Sequence, residues 1–142
     1  MGSPKGTSSL TTGNSSPIID HCHPLYMYPS YAPHSLSAGI ELVIMENYTI
    51  WSRSMKVALL GRNKLGFIDG SVVRDDYSGD LAKDCYCCNA NVFSWLMGNV
   101  HRNLFVGILF CSSAALIWKD LKERFDKVND SRAYYCIGKF LH

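Results

Sequence analysis

Large apolar side chains recur at the spacing of an α-helix in the first half of the chain. Four of them follow at intervals of three, four and four residues: Tyr48, Trp51, Met55 and Leu59. This spacing places them on one helical face. Asn47 is suited to cap the start of the helix, because its side-chain oxygen can accept a hydrogen bond from a free backbone N–H. Gly61 is suited to end it, Gly66 predicts a turn, and Asp69-Gly70 predicts a tight turn.

The same period recurs in two later stretches. Residues 85–100 carry one apolar stripe, made of Cys88, Val92, Trp95, Leu96 and Val100. Residues 114–128 carry another stripe opposite a mixed-charge face, made of Ala114, Ile117, Trp118, Leu121 and Phe125. Ser112 and Ser113 offer a cap before this stripe. We therefore predict two more core helices, anchored by their tryptophans, and a further helix after the polar break at residues 129–131.

Two short apolar segments leave the element type open. Residues 104–111 are apolar throughout, which predicts a short, deeply buried helix. A buried strand is the alternative, because periodicity does not separate the two at this length. Residues 36–45 alternate in part and predict a brief strand or an extended edge segment. Neither segment approaches the length of about 20 residues that a membrane-spanning helix needs.

The remaining segments are polar or rich in proline. Residues 1–23 are mostly small and polar and cannot bury enough apolar surface to offset the entropy of ordering, so we predict a disordered leader. Residues 24–46 begin with alternating aromatics and prolines and predict extended chain. Residues 71–84 hold four aspartates and predict a polar connector with a helical turn near its end. A helical domain is expected over residues 47–142, cut short in its last helix.

These patterns predict a mostly α fold, a small bundle of about four to five helices behind a disordered and extended leader. A chain of 142 residues is long enough for one such domain. A net charge of +2 is too small to indicate nucleic-acid binding by itself. No apolar secretory signal is recognised, so the six cysteines are expected to be reduced thiols in a cytoplasmic protein.

Two groups of potential metal ligands are present, and neither is complete. Cys85 and Cys88 form a CxxC pair, but no His follows His101 at zinc-finger spacing, and Phe93 stands where a zinc knuckle would have a His. The His21–His23 segment, which includes a cysteine, has little reason to fold. We therefore favour ordinary thiols and predict neither a metal nor a cofactor.

No catalytic constellation stands out in the sequence. It contains no Gly-rich phosphate loop, and no Ser, His and Asp set is suggested by sequence context. We therefore predict a protein that is not an enzyme and has no small-molecule substrate.

One basic cluster is a candidate nucleic-acid site. It consists of Arg53, Lys56, Arg62 and Lys64. No acidic residue lies between Asn47 and Ile68 to offset these charges, so the cluster could contact RNA phosphates through charge alone. A solvated helix face and hinge is the simpler interpretation, and we favour it.

Ordered blocks of the sequence carry a resemblance to a known family. Pro24–Ser30 reads PLYMYPS, and Asn47–Ser71 contains NYTIWSRSMKVAL followed by RNKLGFIDGS. Cys88–Leu96 reads CNANVFSWL, Ile117–Phe125 reads IWKDLKERF, and Asn129–Arg132 reads NDSR. Together they resemble the N-terminal part of the Gag polyprotein of plant copia-type LTR retrotransposons. The resemblance spans residues 24–140.

The resemblance implies a capsid-like helical Gag segment that self-associates into particles and packages element RNA. Its partners would be other copies of itself and, weakly, element RNA, with no membrane involved. The zinc knuckle and the enzymes of the family lie further along the polyprotein. Two alternatives stay open: a nucleic-acid-binding module that uses the basic 53–64 segment, and a non-functional gene fragment.

The chain also departs from the family pattern. Cys85 stands where the family usually has a Trp, and Tyr28 replaces a His in the leader block. Cys136 and Gly138 fall in the last predicted helix, where longer side chains are usual. A core Trp replaced by Cys could leave a cavity that costs about 3–5 kcal/mol of stability. With the expected truncation, these departures favour a degenerate copy.

Overall fold

The structure describes residues 19–125: residues 19–44 are not helical, and a series of helices follows. It is a computed structural model, and the predictions made for residues 1–18 and 126–142 lie outside the described part. The α-helices are α1 Tyr48–Gly61, α2 Gly66–Asp69, α3 Asp80–Gly98, α4 Phe105–Ile108 and α5 at 114–125, where the description ends. Single turns of 3₁₀ helix occupy Met45–Asn47, Arg74–Asp76 and Arg102–Leu104. With five α-helices and no strand over residues 19–125, the mostly α fold class is confirmed.

The core forms where the apolar stripes of α1, α3 and α5 meet. The Trp51 and Trp118 rings stack with centroids 5.4 Å apart, and the Tyr48 and Phe125 rings lie 6.0 Å apart. These contacts join α1 to α5. The nine core positions named from the sequence are all buried: Tyr48, Trp51, Met55, Leu59, Trp95, Leu96, Trp118, Leu121 and Phe125.

Helix α3 begins earlier than the sequence predicted. It starts at Asp80 rather than near residue 85, directly after Gly79 at φ +60°. Leu81 and Cys85 precede Cys88 at helical spacing, and both pack on the core. The apolar stripe of α3 therefore begins within the predicted polar connector, where the four aspartates obscured the helical spacing of the apolar residues.

The deep burial predicted for residues 104–111 is wrong, and so is the alternative of a strand. Helix α4 has only four residues, and of its described side chains only Ile108 is fully buried. Val106 is 78% exposed and Phe110 is 89% exposed. A single helical turn can direct only about one side chain per 3.6 residues toward the core, so most of this apolar run faces outward.

The strand considered for residues 36–45 is reduced to one contact. Leu42 forms an isolated parallel bridge with Val100. Its N–H donates to the Asn99 carbonyl at 2.9 Å, and its carbonyl accepts from the His101 N–H at 2.8 Å. Leu42 itself is fully buried. Strand-type pairing in this segment is thus limited to Leu42.

The predicted caps and turns at helix ends agree with the structure at some positions and differ at others. The cap predicted at Asn47 is wrong, because its amide bonds the preceding turn: Oδ1 accepts from the Val43 and Ile44 N–H groups. The Ser113 cap is confirmed by its bond to the Leu116 N–H at 3.2 Å. The tight turn at Gly70 is confirmed by its left-handed conformation at φ +85°.

Gly66 opens α2 instead of forming a turn of its own. A Cβ at this position would collide with the side chains of Ser71 and Val72, which fold back over it. The Val72 N–H also donates to the Gly66 carbonyl at 3.1 Å. The glycine is therefore required by the close approach of the chain that follows α2.

Candidate functional site

The four cations of the predicted basic cluster do not form one surface. Arg53 and Lys56 lie exposed on α1. Arg62 and Lys64, in the corner between α1 and α2, turn instead toward residues 22–42. We call these residues, which form no helix and contain several hydrogen-bonded turns, the strap. It crosses the domain ahead of α1, and Leu25 and Leu42 insert into the core.

Lys64 is buried, which removes it from the predicted RNA contact. Only 1% of the residue is exposed. Its Nζ donates to the Tyr26 carbonyl at 2.6 Å and to the Arg62 carbonyl at 3.3 Å. Desolvation by burial lowers the pKa of the ammonium, and the nearby Cys88 thiol opposes that shift. A phosphate could reach this ammonium only by displacing the strap.

Arg62 also binds the strap. Its Nη1 donates to the Ser35 hydroxyl at 2.9 Å, and its Nη2 donates to the Ser35 carbonyl at 3.0 Å. The guanidinium lies 4.6 Å from the Tyr31 ring centroid and 4.7 Å from that of Trp95. The rings belong to the strap and to α3, so the arginine joins three parts of the chain.

Helix α3 holds the strap from the other side. The Trp95 indole donates to the Ala32 carbonyl at 2.9 Å, and the Cys88 thiol donates to the Leu25 carbonyl at 3.3 Å. Burial raises the pKa of the Cys88 thiol to about 12, with the Lys64 ammonium opposing the shift. This thiol therefore keeps its proton at neutral pH and acts as a hydrogen-bond donor.

Asn99, just after α3, is a further residue whose side chain binds the strap. Its Nδ2 donates to the Leu36 carbonyl at 2.9 Å, and its Oδ1 accepts from the Ala38 N–H at 2.9 Å. Its own carbonyl accepts from the Trp51 indole at 2.8 Å. One buried asparagine thus ties the strap to α1 and α3, and every group of its amide is used.

A groove between the α1–α2 corner and α5 gathers cations that the sequence did not bring together. Lys56 of α1 meets Lys119 and Lys122 of α5 around a cavity of about 580 Å³. Asp69 lines the same cavity, and the Lys56 Nζ lies 5.9 Å from the Trp118 ring centroid. The two α5 lysines were missed because their stretch reads as a mixed-charge helix face.

A second cavity of about 430 Å³ adjoins this groove beside Cys85. The two cavities share Gly70 and Ala115 in their walls. Burial raises the pKa of the Cys85 thiol, Arg74 lowers it, and Asp76 raises it. Cys85 itself is buried, so its thiol lies in the inner wall of this second cavity.

An exposed apolar surface lies on and after α4. It consists of Val106, Leu109 and Phe110, each more than half exposed. Gly107 packs against the Arg124 guanidinium near the end of α5. A contiguous set of large apolar side chains left in water is a feature of interaction surfaces.

Residues 19–125 contain neither a cluster of metal ligands nor a helix suited to a membrane. No three His, Cys, Asp or Glu side chains converge there as ligands for a metal ion. Five cysteines in this range are free thiols, and those at 22 and 87 are exposed. None of the helices described combines the length and apolarity that a membrane span requires.

These observations define a small helical domain in which the strap is bound to the corner between α1 and α2. An apolar surface at α4 and a lysine-lined groove beside α5 remain exposed. A family model described as the Gag-polypeptide of LTR copia-type matches residues 42–74, from the end of the strap through α2. The match confirms the resemblance to the N-terminal region of copia-type Gag over this part of the chain. Neither the curated proteins nor the solved structures gave a match.

Proposed function

We propose that this chain is a Gag-type structural domain that associates with copies of itself into particles that package element RNA. The family match over residues 42–74 supports the class. The observation that carries self-association is the exposed apolar surface of Val106, Leu109 and Phe110. We propose that the domain has no catalytic activity of its own, in keeping with the structural role of Gag, and that it acts in the cytoplasm.

The size of the exposed side chains makes the surface a suitable contact between copies. Burying one Val or Phe side chain contributes about 1.5–3 kcal/mol. Two copies that cover Val106 and Phe110 on each other would remove four such side chains from water. The contact would resist moderate salt, because burial of apolar area is not screened by ions.

The test is light scattering on the intact chain over a range of concentrations, at low and at moderate salt. We expect dimers or larger species that persist at moderate salt. The variant Val106→Ser/Phe110→Ser should shift association to at least about tenfold higher concentration. Val57→Ser/Leu60→Ser is the matched control, because these side chains are 70% and 61% exposed on α1.

The same measurements separate the alternatives. A monomer at every concentration would contradict self-association by this chain. Polydisperse aggregate with poor helicity would indicate a non-functional fragment. RNA binding that falls steeply with salt, by a monomer, would favour a nucleic-acid-binding module. Within the predicted 53–64 segment, Arg53 and Lys56 are the cations exposed for such binding.

We also propose a different division of the chain from the one expected. The sequence separated residues 24–46 from a domain at 47–142. Because Leu25 and Leu42 are core residues and the corner binds strap carbonyls, the folding unit would begin with the strap. Removal of residues 1–38 should then destabilise the helices, which thermal unfolding followed by circular dichroism would measure.

A further inference from the structure

The groove between the α1–α2 corner and α5 has an excess of positive charge. Lys56, Lys119 and Lys122 line its cavity of about 580 Å³, and Asp69 is the acidic residue in the wall. The Asp69 carboxylate accepts a hydrogen bond from the Ser71 N–H at 2.8 Å. Both side-chain ion pairs in the part of the chain that the structure describes lie outside this cavity. The three ammonium groups are therefore open to an anionic ligand.

The rest of the cavity wall is largely apolar. Ile68 and Trp118 are its buried part, and Leu116 is 46% exposed. The Lys56 Nζ lies 5.9 Å from the Trp118 ring centroid, so one cation stands beside this apolar wall. A ligand in the groove would therefore cover apolar area as well as meet positive charge.

The lysines come from two helices and are spread over the cavity. Lys119 and Lys122 are three residues apart on α5, which separates them by about 4.5 Å along the helix axis. Lys56 belongs to α1 and lines the same cavity. This distribution suits a ligand with several separate anionic groups better than it suits one compact anion.

We infer that the groove binds an acidic peptide segment of a partner protein, in which carboxylates flank an apolar side chain. The carboxylates would meet the lysines, and the apolar side chain would cover Leu116. An apolar centre within a charged rim is the usual order of a protein interface. The site is separate from the apolar surface at α4, so the inference does not depend on the proposed self-association.

The ends of this chain do not have the composition of such a segment. Residues 1–18 contain one lysine and no acidic residue. Residues 126–142 contain two aspartates against two lysines and one arginine. Neither stretch is acidic, so charge complementarity favours a segment of another protein as the occupant.

The apolar wall favours a peptide over RNA. Nucleic-acid bases bind proteins by stacking on exposed aromatic rings. The aromatic ring of this cavity offers little surface for stacking, because Trp118 is only 6% exposed and its ring already stacks on Trp51. A sugar–phosphate backbone has no apolar side chain to cover Leu116. A peptide can satisfy both the cations and the apolar wall.

The first step of the test is an array of short synthetic peptides probed with the intact chain. The peptides carry glutamates on both sides of a leucine or phenylalanine. In one control series the glutamates become glutamine, and in another the apolar residue becomes serine. We expect binding only where both features are kept, because the groove offers cations and apolar area together.

The second step measures the best-binding peptide in solution by fluorescence anisotropy. Lys119→Glu/Lys122→Glu should bind it at least about tenfold more weakly, because two attractive contacts become repulsive. Leu116→Ser should also weaken binding, since it removes apolar area from the wall. Arg53→Glu is the matched control and should bind like the unaltered chain, because Arg53 is an exposed cation of α1 outside this cavity.

Circular dichroism checks that each variant folds, and Lys119→Ala/Lys122→Ala replaces the reversal if the latter unfolds. The inference is refuted if no acidic peptide binds, or if the lysine variants bind as well as the unaltered chain. Equal binding of the serine series would refute it in favour of attraction by charge alone.

Two further measurements separate the other occupants. If a single-stranded RNA binds in place of the peptides and the lysine reversal weakens it, the groove is a nucleic-acid site. If the lysine reversal abolishes association in light scattering while no peptide binds, a second copy occupies the groove. The contact at α4 is tested separately by Val106→Ser/Phe110→Ser, so failure of the peptide site leaves the proposed function standing.

Discussion

Replacement of Arg62 is the most direct test of how the strap is held, because an approximate free energy can be assigned to each of its contacts. Replacing it by Ala removes two hydrogen bonds to Ser35 and two ring contacts, with Tyr31 and Trp95. At a half-buried site, each hydrogen bond is worth about 1 kcal/mol. Each ring contact is worth about 0.5–1 kcal/mol. Truncation returns about 1.5–2 kcal/mol of side-chain entropy.

The net expectation for Arg62→Ala is therefore a loss of about 2 kcal/mol in the free energy of unfolding. Urea unfolding followed by circular dichroism measures it. Arg62→Lys should fall in between, because an ammonium lacks the planar fork that reaches both Ser35 acceptors. Limited proteolysis should show earlier cleavage in the strap than in the helices, since the lost contacts all hold that segment.

Arg53→Ala is the matched control, because this arginine is exposed on α1. It should change stability by no more than about 0.5 kcal/mol. Equal losses in Arg62→Ala and Arg53→Ala would refute the assignment of Arg62 to the strap. The Arg62 guanidinium would then be available to a ligand, as the basic pattern of the sequence first suggested.

Three further perturbations follow from the same packing. Asn99→Ala should lower the free energy of unfolding by about 2–4 kcal/mol in urea titrations, because it leaves buried strap groups without partners. Cys88→Ala should flatten the fall of stability with alkaline pH. The folded thiol has a pKa of about 12, whereas the unfolded chain releases this proton above the ordinary pKa of 9.0. Stability is therefore lost as the pH rises from 9.0 toward 12. The slope of the unfolding free energy against pH would show this loss. Cys85→Trp should fill the adjoining cavity of about 430 Å³ and raise the melting temperature in differential scanning calorimetry, by a gain of about 0.5–2 kcal/mol; a lower melting temperature would show that the cavity cannot take the ring.

The sequence was most informative where apolar side chains recur with the period of an α-helix. The stripes of α1, α3 and α5 identified buried residues because a helix that buries one face must repeat apolar positions at that spacing. The short run at residues 104–111 had no such period. Its composition did not reveal that, within residues 19–125, Val106 and Phe110 lie mostly exposed.

The strap contacts could not be predicted from the sequence for a different reason. Most of their acceptors are main-chain carbonyls, which every residue carries whatever its side chain. The Lys64 Nζ and its Tyr26 acceptor are 38 residues apart, and Arg62 and Ser35 are 27 apart. In the sequence, exposed cations look the same as cations that donate hydrogen bonds inside the fold. The difference depends on contacts between residues that are far apart along the chain.

The blocks that carry the family resemblance have a structural interpretation. In the corner after α1, three consecutive side chains donate to strap carbonyls: Arg62 to Ser35, Asn63 to Cys22 and Lys64 to Tyr26. In α3, Cys88 donates to the strap, and its neighbour Asn89 accepts from the Ala114 N–H at 3.0 Å at the start of α5. These blocks therefore fix the positions of strap, corner and helices relative to one another.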